Sequence, residues 1–151
     1  MAKTPKAHKQ VGEEYLTTAK QASAVHRFPF PPQIVWNALL DGPAWTEWLP
    51  ITKVTWTSPR PFTVGTTRTV EVGPQVIEET FFAWDEGSRM AFRFERSSLP
   101  VSAAVEDYRV VPVDGGCEMH WSGKASAPLI LGRLITGQLT KGLKEGMPKL
   151  E

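Results

Sequence analysis

Five side chains in this sequence have the chemistry that a buried polar site would use: Arg68, Glu79, Glu106, Tyr108 and His26. A guanidinium holds carboxylates and other oxygen acceptors through a rigid fork of donors. A carboxyl stripped of water keeps its proton to higher pH, and can then give or take it near neutrality. A phenol two residues from a carboxyl on one strand shares its face, because side chains alternate with period two. All of these properties depend on burial. What matters first is which face of which element carries each residue.

Hairpin arithmetic supplies the faces. In VEVGPQVIEE (70–79) a two-residue loop at Gly73-Pro74 pairs Val72 with Gln75, Val70 with Ile77 and Arg68 with Glu79. A glycine first in such a loop is favourable. One face then carries Arg68, Val70, Val72, Ile77, Glu79, Phe81 and Ala83, and the other is polar. In FFAWDEGSRMAF (81–92) a four-residue loop at 85–88 pairs Ala83 with Met90, Phe81 with Phe92 and Glu79 with Phe94. The reverse face of that strand, Arg89, Arg93 and Glu95, suits solvent. In VVPVDGGCEMHW (110–121) a loop at Asp114-Gly115 pairs Val110 with Met119 and Tyr108 with Trp121, and sets Glu106 on the face of Tyr108. The three registers agree with one another, and a slip of one residue would reverse every assignment in a hairpin.

Arg68 and Glu79 thus face the apolar side together. They are either an ion pair that fixes register or a polar anchor in a wet cavity that orients a mostly apolar ligand. Glu106 beside Tyr108 has the same two readings, and a desolvated carboxyl there could serve as an acid or base. His26, on the first strand, is a third candidate for moving a proton. Metal chemistry is not expected. Cys117 and His120 are three apart on a strand and point to opposite faces, and the chain has only three histidines and one cysteine. It has neither a glycine-rich phosphate loop nor a GxSxG nucleophile turn, and no cofactor is expected.

The elements that must position these residues follow from periodicity. Residues 22–30 read as a first strand. Pro31-Pro32 open a helix through Ile34, Val35, Trp36, Leu39 and Leu40, which Gly42-Pro43 stop, and a second short helix covers roughly 44–49. Strand-like runs lie near 51–57, 66–72, 75–84, 88–96, 103–112 and 117–125. Residues 129–147 return to a helical stripe of Leu131, Leu134, Ile135, Leu139, Leu143 and Met147. The fold class is α+β. The apolar sheet face, with Phe81, Met90, Phe92, Phe94, Val110, Met119 and Trp121, needs a cover that the last helix can supply. A helix about 10–12 Å across is narrower than seven strands spaced roughly 4.8 Å apart, so the sheet must curl and can enclose a hollow.

The chain's 151 residues make one domain, 22–151, preceded by an N-terminal extension, 1–21. That extension is expected to be partly disordered, with a short helix suggested by Val11, Tyr15 and Ala19. Its basic cluster, Lys3, Lys6, His8 and Lys9, reads as a solvated tail. Seventeen basic against sixteen acidic side chains give a net charge of +1, which does not point to nucleic acid. A single cysteine, Cys117, cannot form an intrachain disulfide, so a cytoplasmic location is expected. The sequence has neither a signal-peptide run nor a span of about 18 apolar residues.

Taken together, FPFPPQIVWNALLDGPAWTEWLP, VGTTRTV, IEETFFAWDEGSRMAFRF and VDGGCEMHW resemble the polyketide cyclase/START-like (SRPBCC, birch-allergen-like) superfamily. The first segment resembles its opening, a strand followed by APPE-x-VW-x-x-LxD and W-x-x-W-x-P. The others resemble its middle and late strands, and the likeness covers roughly 22–148. Phe30 departs from the small alanine usual at its position, and residues 1–21 fall outside the pattern. The resemblance implies a helix-grip fold: a curved seven-stranded antiparallel sheet around a long C-terminal helix, closed at one end by two short helices. It also implies a hydrophobic ligand between sheet and helix, such as a lipid, sterol, polyketide, quinone or plant hormone. Some members are cyclases or aromatases, others bind without catalysis, and one branch acts through protein contacts. They share no single catalytic set.

Three expectations follow. The first is binding of a small hydrophobic or amphipathic molecule against Arg68, Glu79, Phe81, Phe92, Phe94, Tyr108, Met119, Trp121, Trp48 and Leu139. The second is a cyclase in which Glu106, Tyr108 or His26 moves a proton on a poly-β-keto substrate. The third is an interaction module without ligand. Trp36 is expected in the core, Trp45 near a cavity mouth, and Trp48 either at that mouth or in the core.

Overall fold

A computed structural model describes residues 4–17 and 22–126. The helix expected over 129–147, with Leu139, lies outside the described residues, as do Lys3 and Ala19. In chain order the elements are β1 (Lys6–Ala7), α1 (Glu13–Thr17), β2 (Ala22–Phe28), α2 (Pro32–Leu40), α3 (Gly42–Trp48) and β3 (Lys53–Trp56). They continue with β4 (Thr67–Val72), β5 (Gln75–Asp85), β6 (Arg89–Ser97), β7 (Ala103–Val113) and β8 (Gly116–Ser126). The strands form one antiparallel sheet in the order β2-β8-β7-β6-β5-β4-β3. β2 and β3 end that order without pairing, so this curved sheet stays open.

An eighth strand joins the seven expected. β7 pairs β6 only as far as Arg93, and β1 pairs the remaining stretch, setting Lys6 against Ser97 and Ala7 against Arg96. Backbone groups left open by the parting strands find partners this way.

Two hairpins have the registers read from their loops. Arg68 faces Glu79 and Val70 faces Ile77 across β4–β5, and Tyr108 faces Trp121 and Val110 faces Met119 across β7–β8. The glycines in those loops, Gly73 and Gly115, have φ of 58° and 81°, backbone that a side chain resists. The β5–β6 hairpin departs from expectation. Its loop has three residues, 86–88, because Asp85 pairs with Arg89 and Gly87 takes a φ of 86°. Ala83 therefore faces Ala91, not Met90, and Trp84 faces Met90. A shift between Phe81 and Ala83 restores Phe81 to Phe92. This bulge turns Trp84 inward, where its ring meets Phe81 at 5.3 Å and Trp36 at 5.5 Å.

α2 starts with Pro32 in its first turn, where a missing N–H costs nothing, and buries Val35, Trp36 and Leu39. It ends at Asp41, whose extended backbone breaks the helix. Gly42-Pro43 do more than stop it: they form the first turn of α3, which buries Trp45 and Trp48. Both helices pack onto the same core as the inner sheet face, with Phe81, Met90, Phe92, Phe94, Tyr108, Val110, Met119 and Trp121.

The outer face is less open to solvent than expected. Val11 packs there with Ala103 and Val105, against Tyr15 and Phe82. Arg89 binds Asp107 at 3.1 Å and Glu13 of α1 at 2.7 Å, and Gln10 donates to Glu95 at 2.7 Å. Of the basic cluster near the N-terminus, Lys6 pairs in β1 and the backbone N–H of Lys9 donates to the Ser102 carbonyl at 2.8 Å. The backbone N–H of His8 donates to the Glu95 carbonyl at 2.9 Å, and its ring hydrogen-bonds Ser97. Among the described residues, no helix is long and apolar enough to cross a membrane.

Candidate functional site

The β4–β5 register brings Arg68 and Glu79 together on the inner face, with Arg68 Nε donating to Glu79 Oε1 at 2.5 Å. The two side chains are 1% and 3% exposed, so this is a buried ion pair. Aromatic rings replace water around the guanidinium. Its carbon lies 4.4 Å from the ring of Trp45, 4.7 Å from Phe92, 5.2 Å from Phe81 and 5.3 Å from Trp56. The electron-rich faces of such rings attract a cation. Arg68 Nη1 is buried and has no hydrogen-bond partner among the described residues.

The β7–β8 hairpin builds the second half. Glu106 Oε1 accepts one bond from the Tyr108 hydroxyl and one from Trp121 Nε1, both at 2.9 Å. Trp45 links the halves, because its ring also meets Tyr108 edge-on at 5.4 Å. Phe92 stacks on Tyr108 at 6.0 Å and packs on Phe81 at 5.1 Å.

Burial dominates the electrostatics. Loss of water pushes the Glu79 carboxyl up to about 7, against the pull of Arg68 and with help from the Glu106 charge. Burial also raises Glu106, although the bonds from Trp121 and Tyr108 and the charge of Arg68 oppose it. Tyr108 is pushed well above its ordinary range by burial and by the neighbouring Glu106. The Arg68 charge acts on both carboxyls and lowers each, against the effect of burial. The arrangement can offer a donor at Nη1 and exchange a proton at a carboxyl near neutral pH.

The other expected residues are distributed as follows. Phe81, Phe92, Phe94 and Met119 form the apolar layer around the polar group. Trp48 is buried against Trp45 at 5.1 Å, and its Nε1 has no partner among the described residues. Trp45 and Trp48 are both interior rather than at a rim. His26 stands on β2 opposite Met119, half-buried and edge-on to Phe28 at 4.7 Å. Glu106 accepts bonds from Tyr108 and Trp121. No cluster of metal-ligating side chains exists among the described residues.

Sequence reasoning missed Trp56. It pairs with Arg68 across β3–β4 and stacks on Phe62 at 4.2 Å. It also lines a surface groove of about 420 Å³ with Asn37, Leu40, Asp41, Gly42, Pro43, Val54 and Arg60. One indole is therefore common to the groove and to the ring cage around Arg68. The available signal was a tryptophan closing a strand whose partner carries the buried arginine.

Fold and site define an α+β domain with an ion pair and a hydrogen-bonded carboxyl embedded in the aromatic inner face of one antiparallel sheet. The chain belongs to the polyketide cyclase/dehydrase and lipid transport family, whose model matches residues 20–151. An uncharacterized protein of Mycobacterium tuberculosis, Rv2574, is 50% identical over 94 residues, which is 60% of this chain. The Mycobacterium bovis protein Mb2604 matches equally. The matched stretch spans 56% of the length of these relatives.

Solved structures share the fold at low identity. A Thermobifida fusca protein aligns with a TM-score of 0.72 at 21% identity, over 86% of this chain and 89% of its own. The Zhui aromatase/cyclase from Streptomyces sp. R1128 aligns at 0.70 and 11% identity, over 87% and 90%. Ara h 8.0201 aligns at 0.65 and 14% identity, over 87% and 97%.

Proposed function

We propose that this protein binds a small, mostly apolar molecule bearing an oxygen acceptor, and that Arg68 Nη1 receives that oxygen. One observation carries the reading: a charged donor inside an aromatic layer has no acceptor among the described residues. A buried donor without an acceptor costs about 1–3 kcal/mol, and more when charged. A carbonyl, phenol or carboxylate on a ligand would remove that cost. The rings of Trp45, Phe81 and Phe92 would hold its apolar part, with Phe94, Met119, Trp121 and Trp48 behind them. The family description, which includes lipid transport, supports this reading. A cytoplasmic setting fits the lone Cys117, which is buried and whose thiol is pushed up by that burial.

A second reading is acid–base chemistry on a poly-β-keto compound. It is favoured by Glu106 and Tyr108 lying 2.9 Å apart, with both carboxyls of the site raised by burial.

Native mass spectrometry of protein purified from its source tests binding. The expected result is a retained oxygen-bearing small molecule that Arg68→Met loses. A bare chain mass, together with no tryptophan fluorescence response to oleate, a ubiquinone analogue or an aryl β-diketone, overturns the reading.

A further inference from the structure

We infer that Gly123 is a positioning residue of this site, glycine because the Trp121 indole must lie across it to reach Glu106. The inference deepens the role proposed for Glu106 and rests on that reading.

Backbone conformation does not account for this glycine. It lies inside β8, and its φ is in the region open to every residue. A strand interior is an unfavourable place for glycine, because it brings entropy cost and no side chain to pack. Space does account for it. A Cβ at 123 would stand 2.5 Å from Trp121 Cζ2, 3.1 Å from Cη2 and 3.2 Å from Cε2. Heavy atoms do not approach so closely, so the ring edge next to Nε1 fills the place of the missing side chain.

The register explains why the ring goes there. Trp121 lies opposite Tyr108, whereas Glu106 lies opposite Gly123. Residues 121 and 123 share a face, so the indole must lean two residues along its own strand to put Nε1 within 2.9 Å of Glu106. Tyr108 reaches the same oxygen from the strand of Glu106 itself. Both bonds fall on Oε1. The Trp121 bond also favours the charged carboxylate, opposing the effect of burial.

The test needs neither ligand nor turnover, so its outcome is independent of whether the acid–base reading of Glu106 holds. Glu106 is titrated by side-chain carbon NMR, assigned with Glu106→Gln, while the Trp121 indole N–H resonance is assigned with Trp121→Phe. Gly123→Ala is expected to move that indole resonance and raise the Glu106 midpoint in the same direction as Trp121→Phe. Trp121→Leu is then combined with Gly123→Ala. The double variant is expected to fold and to titrate like Trp121→Leu alone, since the clash has no ring to meet. Three results would each overturn the inference: an unmoved indole resonance in Gly123→Ala, an additive midpoint change in the double variant, or failure of the double variant to fold where Trp121→Leu folds.

Discussion

Trp45 on α3 lays its indole 4.4 Å from the Arg68 guanidinium on β4. The indole is not free to turn, because its N–H donates to the Leu39 carbonyl at 2.9 Å. A short helix is thereby coupled to a buried charge, and rings do part of the work that water would do. A desolvated contact of this kind contributes about 2 kcal/mol or more.

The first prediction concerns that pair. Arg68→Met leaves Glu79 buried without its guanidinium, and breaking one half of a buried pair costs about 3–5 kcal/mol. Arg68→Met with Glu79→Leu removes both charges and is expected to recover most of that loss. Urea denaturation of the three proteins measures it. If the single variant is as stable as the double, the pair is not desolvated in solution.

The second follows from the raised Glu79 carboxyl. Its value in the fold, about 7, lies above the ordinary 4.5. Between those values the native state holds more protons than the unfolded chain, so stability falls as pH rises. The benefit is complete below about 4.5 and gone above about 7. A tenfold difference in proton affinity between folded and unfolded chain corresponds to about 1.4 kcal/mol, so the slope is measurable. Glu79→Gln should flatten the dependence of unfolding free energy on pH between 4.5 and 7. An unchanged slope would assign the titration to another group.

How far the sequence carried depends on where loops fix register. The β4–β5 and β7–β8 hairpins were legible because two-residue loops at Gly73 and Gly115 permit one pairing each, and those pairings placed Arg68, Glu79, Glu106 and Tyr108. The β5–β6 hairpin was legible in part: Phe81 pairs with Phe92 and Glu79 with Phe94 as expected, but a bulge at Phe82, which leaves no mark in composition, decides where Trp84 points. Trp56 was missed because the chain between β3 and β4 is too long for a turn to dictate pairing. Two-residue β1 has no periodicity to detect, and nothing local announces that Glu13 will meet Arg89.

The third prediction separates two carboxylates on the outer face. Asp107 has a side chain 5% exposed and binds both Arg89 and Arg109, at 3.1 and 3.0 Å. Glu13, 52% exposed, binds Arg89 alone. Exposed pairs contribute about 0–1 kcal/mol, so Glu13→Ala should barely move the denaturation midpoint. Asp107→Ala leaves two guanidiniums facing each other and should cost about 1.5–3 kcal/mol, the range for lost hydrogen bonds to a charged group. Equal costs would mean that α1 contributes as much to the outer face as the buried aspartate does.

The last prediction addresses catalysis. Glu106→Gln keeps the shape of the carboxyl and an oxygen that can accept from Tyr108 and Trp121, but it cannot hold or release a proton. An aryl β-diketone is a suitable probe, since loss of its central proton reports on base catalysis through deuterium exchange in heavy water. The wild type should accelerate that exchange, and Glu106→Gln should abolish the acceleration while leaving probe affinity nearly intact. Tyr108→Phe removes one of the two donors on Oε1, which raises the carboxyl further and should move the exchange profile to higher pH without eliminating it. Exchange that is equally fast in Glu106→Gln would remove this carboxyl from the chemistry and leave binding at Arg68 as the role of the site.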